Sequence, residues 1–138
     1  MYVLYSLLSV VALLVASPYL LYQAVRHRKY VRNLRQRLGY LPLSFNLDGE
    51  ASIWIHAVSV GETLTSRALL GDLKARYPHL KLFLSTTTMT GYEVARKLTD
   101  LDGVFYFPFD WGFTVRRTLD VVRPRLFWDG GNGRTFFA

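Results

Sequence analysis

Cysteine is absent from the 138 residues of this chain, which excludes disulfide bridges and thiolate metal sites. Charged side chains are absent from Met1 to Val25, the longest uncharged stretch of the sequence. Apolar residues are not scarce: 51% of the residues are hydrophobic and 20% are charged, so the chain is not intrinsically disordered. This length fits one ordinary domain, or a small domain with an anchor.

Acidic residues are missing between Arg26 and Arg37, a span that holds six Lys and Arg. The other eleven Lys and Arg nearly balance the ten Asp and Glu, so the net charge of +7 is concentrated in this span. Nucleic-acid binding would require basic residues interleaved with aromatic stacking groups on the folded domain, and we expect no nucleic-acid partner. Residues 26–50 are instead predicted to be a basic juxtamembrane connector that faces anionic lipids.

The uncharged stretch Met1–Val25 predicts a transmembrane anchor. As a helix it would be roughly 37 Å long, more than the ~30 Å hydrocarbon core of a bilayer requires. A secretory signal peptide carries positive charge before its apolar core, but here the charge follows it. The positive-inside rule therefore predicts that the following domain lies on the cytoplasmic side of the membrane. A cleaved signal peptide, and a helix buried in protein or lying in the interface, are the alternatives.

After the connector, short apolar strands alternate with amphipathic helices. The predicted strands are Ser52–Val58, Leu80–Leu84, Val104–Phe107 and Arg125–Trp128. Between them we predict three helices: one after Ser59 that ends at Pro78, one that ends at Leu98, and one over Thr114–Val122. The apolar residues of the first recur at helical spacing and are Leu64, Ala68, Leu69, Leu73 and Tyr77. This alternation indicates an α/β domain with a parallel sheet covered by helices, one Rossmann-like half over residues 51–127. No G-x-G-x-x-G motif follows the first strand, so no dinucleotide site is indicated.

Ligands of open α/β sheets bind at the carboxyl ends of the strands, where three loops of this chain are predicted to open. Glu62 follows the first strand at the start of a helix, where it could stabilise the helix dipole or act as a general base. The loop Thr86–Gly91 could cradle an anion, or Thr88 or Thr90 could cap the next helix. Both pairs of interpretations stay open on the residues alone.

Two further polar residues lie in this region. His56 is inside an apolar strand, which is typical of a hydrogen-bonded core histidine, with a catalytic histidine as the alternative. Asp110 follows Pro108 and is predicted to be a turn or cap residue.

Several motifs occur in an order that resembles one protein family, the 3-deoxy-D-manno-octulosonic acid (Kdo) transferases of lipopolysaccharide assembly. The longest is Ile53–Thr63, which reads Ile-Trp-Ile-His-Ala-Val-Ser-Val-Gly-Glu-Thr. It is followed by Tyr77-Pro78, Thr86–Gly91, Pro108–Asp110 and Val122–Pro124. The apolar anchor and the segment with Arg35, Leu38, Gly39 and Tyr40 are also similar to the start of that family. The resemblance covers residues 1–127.

The resemblance implies a two-domain GT-B glycosyltransferase, of which residues 51–127 are the half that receives the acceptor. Such an enzyme moves Kdo from CMP-Kdo to a lipid A precursor at the cytoplasmic face of the inner membrane, and it uses no metal or other cofactor. The resemblance also implies that Glu62 is the catalytic base. The implied substrate-binding residues are Ser59, Gly61, Thr88, Thr90 and Gly91.

Residues 128–138 depart from the family pattern. The family continues with a Glu-Thr-Glu-like stretch, one glutamate of which supports the transition state, whereas this chain continues with a glycine-rich tail. We therefore expect a truncated or frameshifted product that lacks the donor domain and is inactive alone. The alternatives are a membrane-tethered glycolipid-binding module without catalysis, and another GT-B transferase with a lipid acceptor.

Overall fold

The computed structural model describes residues 11, 14–19, 22 and 28–137. Most of the predicted anchor, Met1–Val25, lies outside the described residues. Within the described part of the chain, no helix is both long enough and apolar enough to cross a membrane. The chain divides into two compact units, with the boundary after Leu34.

Helices and strands alternate between residues 52 and 129. Helix α1 spans Arg28–Arg37, and a short 3-10 helix spans Leu43–Phe45. The elements that follow are β1 (Ser52–Ala57), α2 (Val60–Arg76), β2 (Lys81–Thr86), α3 (Met89–Ala95), β3 (Gly103–Tyr106), α4 (Gly112–Val122), β4 (Pro124–Asp129) and β5 (Arg134–Phe137). The four predicted strands and three predicted crossover helices are confirmed, with ends shifted by a few residues.

The strands form one sheet in the order β3-β2-β1-β4-β5. The first four strands are parallel, so the predicted Rossmann-like parallel sheet is confirmed. β5 runs antiparallel to β4, with Phe137 opposite Leu126, and it was not predicted. A glycine-rich turn joins the two strands, and Gly133 in it has a φ of 59°, which favours glycine.

Two apolar clusters pack on opposite faces of the sheet. One joins Ile53, Ile55 and Ala57 of β1 to Leu70 of α2 and Ala95 of α3. The other joins Trp54, Phe83 and Phe105 to Val122 of α4 and to Phe45 of the 3-10 helix. All six residues of β1 are buried, as expected for a central parallel strand that is covered on both faces.

The predicted apolar face of α2 is only partly right: Leu73 packs against the core and Leu69 is partly buried, but the rest of the face is exposed. Leu64 is 54% exposed and Ala68 is also exposed, whereas Thr63, Ser66 and Leu70 are buried. The hydroxyls of Thr63 and Ser66 donate to backbone carbonyls one turn earlier in the chain, at 2.9 and 2.7 Å. Because these hydroxyls are paired within the helix, small polar side chains can pack against the sheet at little cost.

The order of the strands creates a topological switch point. From β1 the chain moves outward through β2 to β3, and then α4 carries it back to β4 on the other side of β1. In sheets of this kind, ligands bind in the crevice outside the carboxyl ends of the two strands at the switch point. Here those strands are β1 and β4, so a ligand is expected to bind beside the loops that follow Ala57 and Asp129.

Candidate active site

Glu62 lies in the first turn of α2, directly after the carboxyl end of β1. Ser59 is the N-cap residue, and its Oγ accepts a hydrogen bond from the backbone N–H of Glu62 at 3.3 Å. The carboxylate reaches back, because Glu62 Oε2 accepts from the N–H of Val58 at 2.8 Å. The Ser59 hydroxyl also donates to Glu62 Oε1 at 3.3 Å. This is a variant of the capping box, in which a serine and a glutamate three residues apart satisfy free N–H groups at a helix start.

The capping contacts leave the Glu62 carboxylate partly exposed. A carboxylate offers about four acceptor positions, and the two contacts from Val58 and Ser59 occupy two of them. The turn after β4 lies on its other side, since a Cβ added at Gly131 would be 3.7 Å from Glu62 Oε2. The carboxylate therefore lies between the ends of β1 and β4, at the switch point, with a fixed orientation and free acceptor positions.

Ser59 and Gly61 lie beside Glu62, at the carboxyl end of β1. Both are exposed. A Cβ added at Gly61 would meet only the Ser59 hydroxyl, at an ordinary contact distance of 3.9 Å, so the surface beside Gly61 is open. The structure thus brings together three of the predicted site residues at one end of β1.

The predicted loop Thr86–Gly91 follows β2. Thr88 is the N-cap of α3, and its Oγ1 accepts from the N–H of Gly91 at 3.1 Å. Thr90 donates its hydroxyl to the same oxygen at 3.4 Å. A Cβ at Gly91 would lie 2.9 Å from Thr88 Oγ1, so glycine permits this close approach. The capping interpretation of Thr88 is confirmed, and the Gly91 N–H that an anion would need is already occupied.

The two groups of predicted residues lie at neighbouring strand ends. Ala57 and Thr86 are partners in the β1–β2 register, so the loops after them emerge side by side, about 4.8 Å apart. In the part of the chain that the structure describes, no three His, Asp or Glu side chains are grouped to hold a metal ion.

His56 is a core histidine that lies beneath this edge. It is 7% exposed, and its Nδ1 lies 3.0 Å from Ser85 Oγ and 3.2 Å from Ser85 O. Trp54 Nε1 donates to the same hydroxyl at 2.8 Å, and the Phe107 ring packs 4.1 Å from the imidazole. These partners support the core interpretation over the catalytic one.

Burial lowers the pKa of His56 below its ordinary value of 6.5, although the hydrogen bond to Ser85 and the charges of Asp129 and Glu62 oppose this. As the pH falls through 6.5, an unfolded chain takes up a proton at this histidine that the folded chain does not. The free energy of unfolding should therefore fall below that pH, by at most about 1.4 kcal/mol per pH unit.

His56→Gln should reduce this dependence, measured by denaturant unfolding at about pH 7.5 and about pH 5.5. His79→Gln, at an exposed position, should leave it unchanged. An unaltered pH dependence in His56→Gln would contradict the assignment.

The third predicted loop, Pro108–Asp110, follows β3. Asp110 is exposed in a bend, and the N-cap position of α4 belongs to the next residue, Trp111. The turn interpretation of Asp110 is therefore confirmed and the cap interpretation is wrong. Trp111 makes no side-chain capping hydrogen bond, and the Thr114 hydroxyl in the first turn donates to Trp111 O at 2.7 Å.

Arg37 also lies at this edge of the sheet, although its place in the basic run predicted that it would face lipid. Its Nη2 donates to Thr87 O, and its guanidinium lies 5.3 Å from the centre of the Tyr106 ring. Its backbone carbonyl accepts from the N–H of Phe109 at 2.8 Å. Gly39 was the sequence signal that the helix ends here and that the chain turns, since a glycine often follows a helix end. In the structure Gly39 has a φ of 85°, two residues after the end of α1.

Several known proteins are similar to this chain. A family model described as 3-deoxy-D-manno-octulosonic-acid transferase (kdotransferase) matches residues 32–128. The Kdo transferase of Haemophilus influenzae is 35% identical over 105 residues, which cover 75% of this chain and 24% of that protein. The Kdo transferase of Chlamydophila psittaci is 30% identical over 125 residues, which cover 89% of this chain and 29% of that protein. The chain thus spans about a quarter of the length of the relatives that it matches. It belongs to the family of 3-deoxy-D-manno-octulosonic acid transferases and contains the family's N-terminal domain.

Proposed function

We propose that this chain is the acceptor-binding half of a GT-B transferase that moves Kdo from CMP-Kdo to a lipid A precursor in lipopolysaccharide biosynthesis. The observation that carries the proposal is the position of Glu62, a partly exposed carboxylate held at the switch point by the N–H of Val58. Family membership supplies the reaction class, since the matched relatives are named Kdo transferases.

In this proposal Glu62 is the general base. Its carboxylate accepts the proton of an acceptor hydroxyl, whose oxygen forms a bond to the anomeric carbon of Kdo. The bond from that carbon to the phosphate oxygen of CMP breaks at the same time, and CMP leaves with the electron pair. The capping contacts from Val58 and Ser59 fix the orientation of the carboxylate before the acceptor arrives, which reduces the entropy cost of the step. The step uses no metal ion.

The substrate-binding residues of the proposal lie on both loops. Ser59 offers an exposed hydroxyl beside Glu62, and Gly61 leaves room for a sugar ring next to it. Thr88 and Thr90 offer exposed hydroxyls one strand away. Gly91 contributes by allowing the tight start of α3 rather than by a free N–H group.

The test joins residues 1–127 to the remaining part of the Haemophilus influenzae relative and assays CMP-Kdo with a lipid A precursor. The joined protein should transfer Kdo, whereas the 138-residue chain by itself should not, because a GT-B site forms between two domains. Transfer by the chain alone would contradict the proposed division of roles. A joined protein that binds CMP but transfers no Kdo would contradict the function, and use of another nucleotide sugar would favour a different GT-B transferase.

A second candidate, a glycolipid-binding module without catalysis, is favoured by one observation. Two acceptor positions of Glu62 are engaged in capping its own helix, as expected of a purely structural glutamate. The two candidates predict different outcomes for a Glu62 substitution in the joined enzyme.

The proposed site of action is the cytoplasmic side of the inner membrane, with Met1–Val25 as a single-pass anchor. The support is the uncharged stretch and the six cations that follow it. A reporter fused after Ala138 should be active in the cytoplasm, and the chain should stay with the membrane fraction in a high-salt wash. Release by salt alone would contradict a spanning anchor.

A further inference from the structure

Arg37 is unusual among the cations whose burial the structure describes. Only three of these side chains are partly buried: Arg37, Lys74 and Lys81. Lys74 pairs with a carboxylate at 3.0 Å, and Lys81 pairs with two carboxylates at 3.5 and 3.7 Å. Among the described residues, which include every Asp and Glu of the chain, no carboxylate lies within ion-pair distance of Arg37. A partly buried cation with no counter-ion is costly, and an anionic ligand would offset that cost.

The guanidinium of Arg37 is nevertheless held in one place. Its Nη2 donates to Thr87 O, and its Cζ lies 5.3 and 5.9 Å from the ring centres of Tyr106 and Phe109. The backbone is held as well, because the neighbouring Gln36 side chain accepts from the N–H of Tyr106 at 3.1 Å. An arginine has five N–H donors in a planar fork, and its contact with Thr87 O uses only part of that fork.

We propose that Arg37 binds a phosphate group of the acceptor and so sets which acceptor the site prefers. The proposal rests on the proposed function and adds a specificity-determining residue to it. Arginine forks bind phosphate through two parallel charge-assisted hydrogen bonds, which gives geometric selectivity as well as affinity. The stacked rings and the Thr87 carbonyl orient the fork before the ligand arrives, so little side-chain entropy is lost on binding.

The distance between Arg37 and Glu62 suits an acceptor larger than one sugar. Arg37 contacts residues that follow β2 and end β3, whereas Glu62 follows β1. The Glu62 carboxylate lies between the ends of β1 and β4, so the two groups are about two strand spacings, roughly 10 Å, apart across the sheet edge. A phosphorylated disaccharide can reach both positions, with its phosphate at Arg37 and its attacking hydroxyl at Glu62.

The test measures equilibrium binding of the full 138-residue chain, in detergent micelles, to a phosphorylated lipid A precursor and to the same lipid after enzymatic removal of its phosphates. The wild-type chain should prefer the phosphorylated form by about 10- to 100-fold, as expected for charge-assisted hydrogen bonds. Arg37→Gln should abolish this preference and leave binding of the dephosphorylated form unchanged. Arg37→Lys, which keeps the charge without the fork, should keep part of the preference. Arg116→Gln, an exposed arginine on α4, is the matched control and should retain it.

This experiment needs no catalysis, so its failure can be told apart from failure of the proposed function. Full preference in Arg37→Gln or Arg37→Lys chains overturns the proposal. The proposal is also overturned if the wild-type chain binds the two lipid forms equally, or binds neither form, even if the joined enzyme transfers Kdo. If Arg37→Gln fails to fold, Arg37→Lys decides alone. In the joined enzyme, a rise in KM confined to CMP-Kdo would assign Arg37 to the donor carboxylate and overturn the acceptor assignment.

Discussion

Replacing Glu62 by Gln in the joined enzyme is expected to lower turnover by about 10²–10⁴-fold, the usual contribution of a general base. An amide has nearly the same size as the carboxylate but cannot accept the proton of the acceptor hydroxyl. The base acts mainly in the transition state, so the KM for the acceptor should change far less than kcat. Kdo transfer under saturating CMP-Kdo, measured over a range of acceptor concentrations, separates the two parameters.

The structure also defines what the substitution should do to stability. The amide oxygen of Gln can still accept from the N–H of Val58, so most of the capping geometry survives. Loss of the negative charge at the helix start should cost about 0.3–1 kcal/mol of unfolding free energy. A purely structural Glu62 would give this stability change with nearly unchanged turnover.

Glu93→Gln is the matched control, because Glu93 is an exposed glutamate on α3. It should change neither turnover nor melting temperature appreciably. A Glu62→Gln enzyme that keeps more than about a tenth of normal turnover would refute the assignment of Glu62 as the base and favour the binding module.

Sequence patterns were sufficient to predict the parallel sheet and the helix start that contains Glu62. The strands are short apolar segments bounded by polar residues, and Ser59 followed three residues later by Glu62 is a recognisable helix-start signal. Both signals are local: they depend on residues that are close in the chain. The same is true of Thr88, whose hydroxyl oxygen accepts a hydrogen bond from the N–H of Gly91, three residues later.

The features that were missed depend on contacts between distant residues. The buried face of α2 contains Thr63 and Ser66 because their hydroxyls find partners within the helix, which a hydrophobicity pattern does not reveal. Arg37 was grouped with a basic run, yet it contacts Thr87, fifty residues away in the sequence. β5 was missed because Arg134–Phe137 is short and follows a glycine-rich turn. Helical periodicity and charge runs are therefore weak guides where a polar side chain is satisfied by a distant backbone group.

The sheet that presents these loops depends on a small aromatic cluster, and Phe83 is at its centre. Phe83 is fully buried on β2, and its ring stacks on Phe45 with centroids 4.6 Å apart. The packing is tight, since a Cβ added at Gly103, its partner on β3, would lie 3.0 Å from Phe83 Cδ1. Removing this ring would leave a cavity that the neighbouring strands cannot readily fill.

Phe83→Ala should therefore lower the free energy of unfolding by about 3–5 kcal/mol, measured by denaturant unfolding of the full chain in detergent. Phe113→Ala is the matched control: the same atoms are removed from a ring that is 53% exposed, and we expect a loss of less than about 1 kcal/mol. Phe83→Leu should fall between the two, because leucine refills part of the cavity. Similar losses for the two alanine variants would contradict the packing described for this face. They would also remove the reason to expect that the loops after β1 and β2 are held rigidly enough to orient Glu62 and Arg37.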